Sequence, residues 1–508
     1  MTPVVDHRPQ RHALLVSVFI VASCGLAYEL VAGALSSYLL GDSVTQFSTV
    51  IGTYLFAMGV GSWLSQYLDR NLVLRFIHLE LLVGLIGGFT PAGLFSVFAL
   101  DAAPFRVMLY GAVLAVGVLV GLEIPLVMRI LKRDLSLRDL VSQVLTVDYL
   151  GALAVSLAFP LLLAPHLGLV RTGLLFGLLN AAVALWAVWV FRDQLPRARL
   201  VVAQCGVALA LLVAGFGFAG RFTDWAEQQM YQDQILYTRT TPYQRIVLTR
   251  WKDDLRLFLN NNLQFSSADE YRYHEALVHP GLAALPWARR VLVLGGGDGL
   301  AVREVLKYPQ IEQVVLVDLD PGMTSLFRDA PALRALNHDA FHSPRVKVIN
   351  ADAGRWLEDS REAFDFVIVD FPDPSNFAVG KLYTTAFYRL LSRHVAPHGL
   401  VVVQATSLFY ARKVFWIVVA TLEEAGFQTS AYHALVPSFG EWGYILAGRD
   451  AYQMPETLPI ATRFLTGRGL PSLFEFPADM ARVEATPNHL NTQNLVRTFE
   501  DEWRRAIR

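Results

Sequence analysis

The stretch Val291-Leu292-Val293-Leu294-Gly295-Gly296-Gly297-Asp298-Gly299 decides the fold of the C-terminal half of the chain. Four apolar residues run into a glycine cluster that holds one carboxylate, and Ala301 to Leu306 can open a helix behind it. The order is strand, tight turn, helix. Glycines let the backbone approach a ligand closely, and a helix N-terminus favours anions and acceptors. The next strand, Gln313 to Leu319, carries Asp318, about 20 residues after the glycines, where a ribose-binding carboxylate sits in nucleotide folds. The expectation is a nucleoside held by a doubly wound sheet. Asp298 is the unusual element. A carboxylate inside the turn repels a pyrophosphate and suits a cationic nucleoside, such as a sulfonium with a free amine.

Outward from this turn the sequence alternates. Strands are expected over 291–294, 313–318, 345–349, 364–369 and 399–404, with helices over 300–307, 321–328, 353–358, 384–394 and 410–425. A hairpin is expected near 428–448. This rhythm implies a parallel sheet wound on both faces, with ligands at the carboxyl ends of its strands. Those ends carry Asp298, Asp318, Asp352 and Asp370. After the fourth strand comes Asp370-Phe371-Pro372-Asp373-Pro374, two carboxylates in a loop stiffened by prolines. Clustered acids can bind and deprotonate a cationic amine, or hold a divalent metal. A plain Asp/Pro turn is the bland alternative. Upstream, Tyr243 to Trp251 and Leu255 to Leu259 alternate around Asp253-Asp254, which reads as a small antiparallel hairpin sheet ending at Asn260-Asn261-Asn262. Residues 269–280 read as a helix.

The 508 residues are 54% hydrophobic, too apolar for an ordinary soluble protein. The excess lies before residue 221. Seven apolar segments, about 13–35, 46–67, 77–99, 107–128, 143–164, 172–191 and 200–219, each approach the ~20 residues that span a bilayer as a helix. The first is too long for the core of a signal peptide and is expected to be retained. Gly52, Gly59 and Gly61, then Gly84, Gly87 and Gly88, suit close helix packing in lipid. Arg8, Arg11, Arg70, Arg75, Arg129, Lys132, Arg133, Arg138, Arg192, Arg197 and Arg199 fall on one side, against Arg106 and Arg171 on the other. The N-terminus is therefore expected in the cytoplasm. Seven spans put the C-terminal half outside, whereas activated nucleosides are made inside, so both sides stay open for it. Glu29, Glu80, Glu123 and Asp148 lie in or beside the spans, and intramembrane acids are functional candidates. Glu29, Glu123 and Asp148 are the candidates carried forward. Pro125 beside Glu123 and Gly151 near Asp148 are expected to mark locally irregular helix. The formal net charge of −1 argues against a nucleic-acid partner. The two cysteines, Cys24 and Cys205, make neither a disulfide framework nor a metal site.

With these residues in place, 241–448 resembles spermidine synthase, the polyamine aminopropyltransferases. The resemblance rests on Tyr243-Gln244, Gln264, Asp269 to Glu275, Gly295 to Gly299, Arg303-Glu304-Val305, Val317 to Asp320, Ala351-Asp352-Ala353, Asp370 to Pro374 and Leu382 to Tyr388. The whole chain resembles the bacterial form with an N-terminal multi-span domain. The resemblance implies transfer of an aminopropyl group from decarboxylated S-adenosylmethionine to putrescine, giving spermidine and 5′-methylthioadenosine. It implies Asp370 as general base and Asp373 on the acceptor amine. Asp298 is implied for the aminopropyl ammonium, with Tyr273 and His274 lining the amine channel and Gln264 near its end. Asp318 is implied for the ribose, Asp352 and Ala353 for adenine, and Gln244, Gly295 and Gly297 for the nucleoside. No metal and no cofactor beyond the co-substrate is implied, in a homodimer or homotetramer at the inner membrane. The chain departs from the family pattern at Asp318 (usually Glu), Ala353 (usually Gly), Phe371-Pro372 (usually Ser/Thr-rich) and Pro437-Ser438-Phe439 (usually Pro-Thr-Tyr). These departures bear on the acceptor more than the donor.

The expected organisation is a helical transmembrane bundle over 1–221, a linker and small β domain over 222–268, and a Rossmann-like transferase domain over 269–449. An extension over 450–508 carries no functional reading. Two other readings stand beside the transferase: an S-adenosylmethionine-dependent N-methyltransferase, and a membrane polyamine transporter or sensor with a non-catalytic binding domain.

Overall fold

Apolar runs of the N-terminal half become seven helices: α1 (Arg8–Leu40), α2 (Ser43–Leu64), α3 (Leu72–Leu100), α4 (Phe105–Leu131), α5 (Leu137–Ala158), α6 (Ala164–Val190) and α7 (Ala198–Met230). The computed structural model describes residues 8–40, 43–100, 104–132, 137–231 and 233–506; Arg133 of the expected basic loop lies outside them. The chain divides into two compact units, Met1–Asp233 and Gln234–Arg508.

Among the described residues, six helical stretches are long and apolar enough to cross a membrane, and the fifth, Arg138–Val190, is 53 residues long. Unbroken, it would extend about 80 Å, against a hydrocarbon core of ~30 Å. It is not straight. A π-helical turn, Phe159–Leu163, follows α5, and Gly168 leaves helical geometry at φ 75°, ψ 170°. The break lets α5 and α6 both pack on α1. The seven segments read from the sequence thus correspond to six stretches, one of them a broken pair. The close approaches are real but selective. A Cβ on Gly61 would meet the Val118 carbonyl at 2.1 Å, and one on Gly84 the Gly177 carbonyl at 2.8 Å. Gly52 and Gly59 face open space, so their expected packing role is corrected. The helices also run unbroken through Glu123-Ile124-Pro125 and through Asp148 to Gly151, contrary to the expected irregularity. Gly151 has a simpler cause: a Cβ there would meet the Phe19 carbonyl at 2.4 Å. The expected boundary at 221 moves to 233. Polar residues after Arg221 end the apolar run but are good helix formers, so α7 continues.

The second unit opens with an antiparallel sheet in the order β1 (Gln234–Thr240), β2 (Arg245–Trp251), β3 (Asp254–Leu259), β4 (Asn262–Ser266). The expected hairpin is β2–β3. Asn260 and Asn261, at φ 48° and 69°, make a tight turn into β4 rather than ending the sheet. Next come α8 (Glu270–Leu282), β5 (Arg290–Gly295), α9 (Leu300–Leu306), β6 (Gln313–Asp318), β7 (Val346–Asn350) and β8 (Phe364–Asp370). β9 (Val395–Ser407), β10 (Gln428–Val436) and β11 (Gly440–Gly448) complete a seven-stranded sheet in the order β10-β11-β9-β8-β5-β6-β7. β5 to β9 are parallel, and the β10–β11 hairpin adds antiparallel strands at one edge.

Alternation explains why both faces are covered. Val291 and Val293 of β5 and Val314 and Leu316 of β6 enter one apolar layer, while Leu292, Leu294, Val315 and Val317 enter the other. Residues 450–506 belong to this unit. Leu465, Leu470 and Leu473 join the first layer, and Met480, Leu495 and Phe499 the second.

Candidate active site

Strand order reverses around β5, which lies between β6 and β8, and ligands bind at such a crossover beyond the carboxyl ends of the strands. Glycine is required there. Gly295 sits at φ 82°, and a Cβ on it would meet the Asp370 carbonyl at 2.2 Å. A Cβ on Gly297 would meet the Asp318 carboxylate at 2.7 Å. The turn thus brings the ends of β5, β6 and β8 together.

Asp370 ends β8, and Tyr273 Oη on α8 donates to its Oδ1 at 2.6 Å. Burial, then repulsion from Asp298, pushes Asp370 up to about 6. Asp298 is raised too, chiefly by burial, although His274 and the Leu300 N–H (2.9 Å to Oδ1) oppose this. Asp318 is pushed by burial to about 6 and accepts the Asp320 N–H at 2.8 Å. Asp373 is pushed by burial to about 7; Thr406 Oγ1 donates to its Oδ2 at 3.2 Å, and its Oδ1 is buried without a hydrogen-bond partner. Among the described residues no Lys or Arg pairs with Asp298, Asp318, Asp370 or Asp373.

The walls are built around these acids. The Tyr273 ring meets His274, Phe439, Trp442 and Tyr444 at centroid distances of 5.0 to 6.4 Å. Buried His274 turns Nδ1 to Glu270, at 2.8 Å from both its carbonyl and Oε2. Burial opposes the imidazolium, but Glu270 outweighs it and raises His274. Glu270 in turn takes a fork from Arg303 at 2.8 and 2.9 Å. Burial resists the Glu270 charge, yet His274 and Arg303 hold the group at about 2.

The other expected site residues are placed as follows. Gln244 Nε2 donates to Asp320 Oδ2 at 2.9 Å, one residue pair away from Asp318. Asp352 caps the helix Ala353–Asp359 through the Arg355 N–H and pairs with Lys381 Nζ at 2.9 Å, at the end of β7. Ala353 is buried as the first residue of that helix. Gln264 is not brought in: its amide folds back on the carbonyls of Asn262 and Leu263.

Sequence reasoning missed the residues that hold the acid loop. Gln404 Nε2 donates to the Phe371 carbonyl, and Trp442 Nε1 donates to Gln404 Oε1 at 3.1 Å. Tyr383 Oη donates to the carbonyls of Phe371 and Pro372 at 3.2 and 3.1 Å. Thr406 adopts φ 57°, a strained conformation for a β-branched residue. Gln404 and Thr406 lie at the end of β9, where the strand-end rule points. In the helical unit, Glu80 and Glu123 are fully buried, and Glu29 and Asp148 are half-buried. Asn180 Nδ2 donates to Glu80 Oε2 at 2.8 Å, and Asn180 Oδ1 accepts from Tyr28 Oη at 3.1 Å. Glu80 Oε1 and Glu123 Oε1 have no partner.

A doubly wound sheet with half-buried acids at its crossover is the build of a nucleoside-dependent transferase for cationic substrates. The spermine/spermidine synthase domain family matches residues 270–455. Polyamine aminopropyltransferase 2 of Ralstonia nicotianae is 61% identical, over 97% of this chain and 99% of that protein. The polyamine aminopropyltransferase of Leptospira interrogans is 50% identical over the same shares, and that of Mycobacterium tuberculosis 38% identical over 97% of both. A solved spermidine synthase from Thermotoga maritima aligns with 49% of this chain and 87% of its own at 22% identity and TM-score 0.45. The chain belongs to the polyamine aminopropyltransferase family.

Proposed function

We propose that the cleft moves the aminopropyl group of decarboxylated S-adenosylmethionine onto putrescine or a related diamine, giving spermidine and 5′-methylthioadenosine. The acceptor nitrogen attacks the carbon next to the sulfonium. The C–N bond forms as the C–S bond breaks, and the sulfur leaves as a neutral thioether with the bonding pair. The nitrogen must shed a proton to attack. Asp370 takes it, oriented through Oδ1 by Tyr273, with its pKa of about 6 close to the working pH. Asp373 holds the acceptor ammonium, and Asp298 holds the ammonium of the donor. Asp318 receives the ribose hydroxyls and Asp352 the adenine amino group. The observation that carries this reading is the set of half-buried acids with no Lys or Arg beside them among the described residues. A binder of intact S-adenosylmethionine has to accommodate a carboxylate, which Asp298 opposes.

The membrane is the second part of the proposal. The six apolar stretches support a unit that crosses the bacterial inner membrane and keeps the transferase beside the lipid. Both parts have direct tests. Purified protein is offered decarboxylated or intact S-adenosylmethionine with a panel of amines, and products are weighed. Methylthioadenosine plus an aminopropylated amine is expected, lost in Asp370→Asn; methylated amine instead overturns the reading. Carbonate-washed membranes should retain the chain, and its release into the wash sinks the spanning assignment.

A further inference from the structure

We infer that the C-terminal segment 463–496 straps the two walls of the cleft together, and that Asn488 and Glu275 are positioning residues for the transfer. This inference rests on the transferase reading. The family match stops at residue 455, so the segment lies outside the matched domain.

One anchor lies on the wall that carries Tyr273 and His274. Glu275, the next residue of α8, is fully buried, and its carboxylate accepts the backbone N–H groups of Arg463, Phe464 and Leu465 at 2.6, 2.8 and 3.0 Å. Two stacked cations reinforce it: Arg463 lies 3.8 Å from the Tyr271 ring centroid and Arg272 lies 3.9 Å from that of Phe464. A carboxylate saturated by three amides of one segment ties that segment to one helix face.

The other anchor lies behind the acid loop. Asn488 is fully buried. Its Nδ2 donates to the carbonyls of Gly380 and Tyr383 at 3.3 and 3.0 Å, and its own carbonyl accepts the Thr385 N–H at 3.0 Å. Tyr383 is the side chain that bonds the Phe371 and Pro372 carbonyls, between Asp370 and Asp373. The link is therefore short: Asn488 fixes the backbone of Tyr383, and the phenol of Tyr383 fixes the acid loop. Between the anchors, Trp416 Nε1 and Arg412 hold the carbonyls of Met480 and Ala481 at 3.1 and 2.8 Å. With the strap in place but the Asn488 amide removed, the Gly380 and Tyr383 carbonyls would lose these donors. An in-line displacement depends on the distance between the amine held by the acid loop and the donor carbon, and a misplacement of 1 Å costs about 100-fold in rate.

The test uses the full-length enzyme in detergent. Asn488→Asp keeps the shape and the acceptor oxygen but removes both donors. Its kcat is expected to fall about 10- to 100-fold, with the KM for the donor nucleoside within about threefold, because Asp318 and the glycine turn do not touch the strap. Glu275→Gln is expected to lower kcat in the same pattern by removing the charge of the carboxylate that accepts the three amides. Wild-type turnover in the same assay checks the transferase reading separately. A variant that melts at lower temperature yet keeps wild-type kcat overturns the inference. If a variant does not fold, hydrogen exchange on the wild type decides. Donor plus amine should slow exchange in 371–385 and 486–496 together, and protection of 371–385 alone overturns the inference.

Discussion

Both units bury carboxylates, and they treat them differently. In the transferase unit the buried acids of α8 and α9 are matched: Glu270 by Arg303 and His274, Glu275 by three backbone amides, and Glu304 by His279 at 2.8 Å and Lys307 at 2.6 Å. Among the described residues the cleft acids Asp298, Asp370 and Asp373 have no such set, only a single hydroxyl or amide each. In the helical unit Glu80 has a single amide and Glu123 Oε1 nothing. A matched acid stabilises a fold, whereas an unmatched one costs stability and is suited to receiving a cation. The contrast separates architecture from chemistry within one sheet.

The sharpest break of this contrast is Asp370→Asn. The amide keeps the size and the bond from Tyr273 but cannot take a proton, so kcat should fall about 10²- to 10⁴-fold. Equilibrium binding of the nucleoside should change little. Equal losses in binding and turnover would make Asp370 a matched, structural acid. Asp373→Asn should follow, raising the KM of the amine about 10- to 100-fold while sparing that of the donor. The same variant should melt a few degrees higher at pH 8, because it removes a half-buried charge that has one hydroxyl and no cation beside it.

How the residues were legible follows the same divide. Asp298, Asp318 and Asp370 were readable because the glycine turn and strand ends announce themselves through chain geometry. Gln404 closes the expected strand 399–404 with no acid to mark it, and Thr406 lies beyond it, because β9 runs on to Ser407 past its apolar core. Asn488 was invisible: it lies in a stretch without helix or strand, and its role comes from contacts more than a hundred residues away in sequence. The four-stranded sheet was half readable, since β1 is a mostly exposed edge strand with little apolar alternation.

The pH response should pull activity and stability apart. Asp318 and Asp370 titrate near 6 and Asp373 near 7 in the fold, against an ordinary value of 3.8. Across the window from 3.8 to 7 the native state therefore holds protons that the unfolded chain has released, and stability falls as pH rises. His274, raised from 6.5, acts in the same direction, since its contribution is complete below 6.5 and lost at higher pH. Glu270, held at about 2 against an ordinary 4.5, works the other way at the low end of this window: its contribution is complete only above 4.5, so it adds little slope from about pH 5.5 upward. Activity needs the carboxylates charged, so it should climb over the same interval. Melting curves and kcat/KM at pH 5.5, 6.5 and 7.5 should cross. If both rise together, the cleft acids are already ionised at pH 5.5 and are not the unmatched groups described above.

The smallest effect should come from the other unit. Glu80→Gln and Glu123→Gln remove buried charge from the helical bundle, and turnover in detergent should stay within about twofold of wild type, as expected of sites with no shared partners. A loss of kcat with either amide would join the two sets of acids into one functional system.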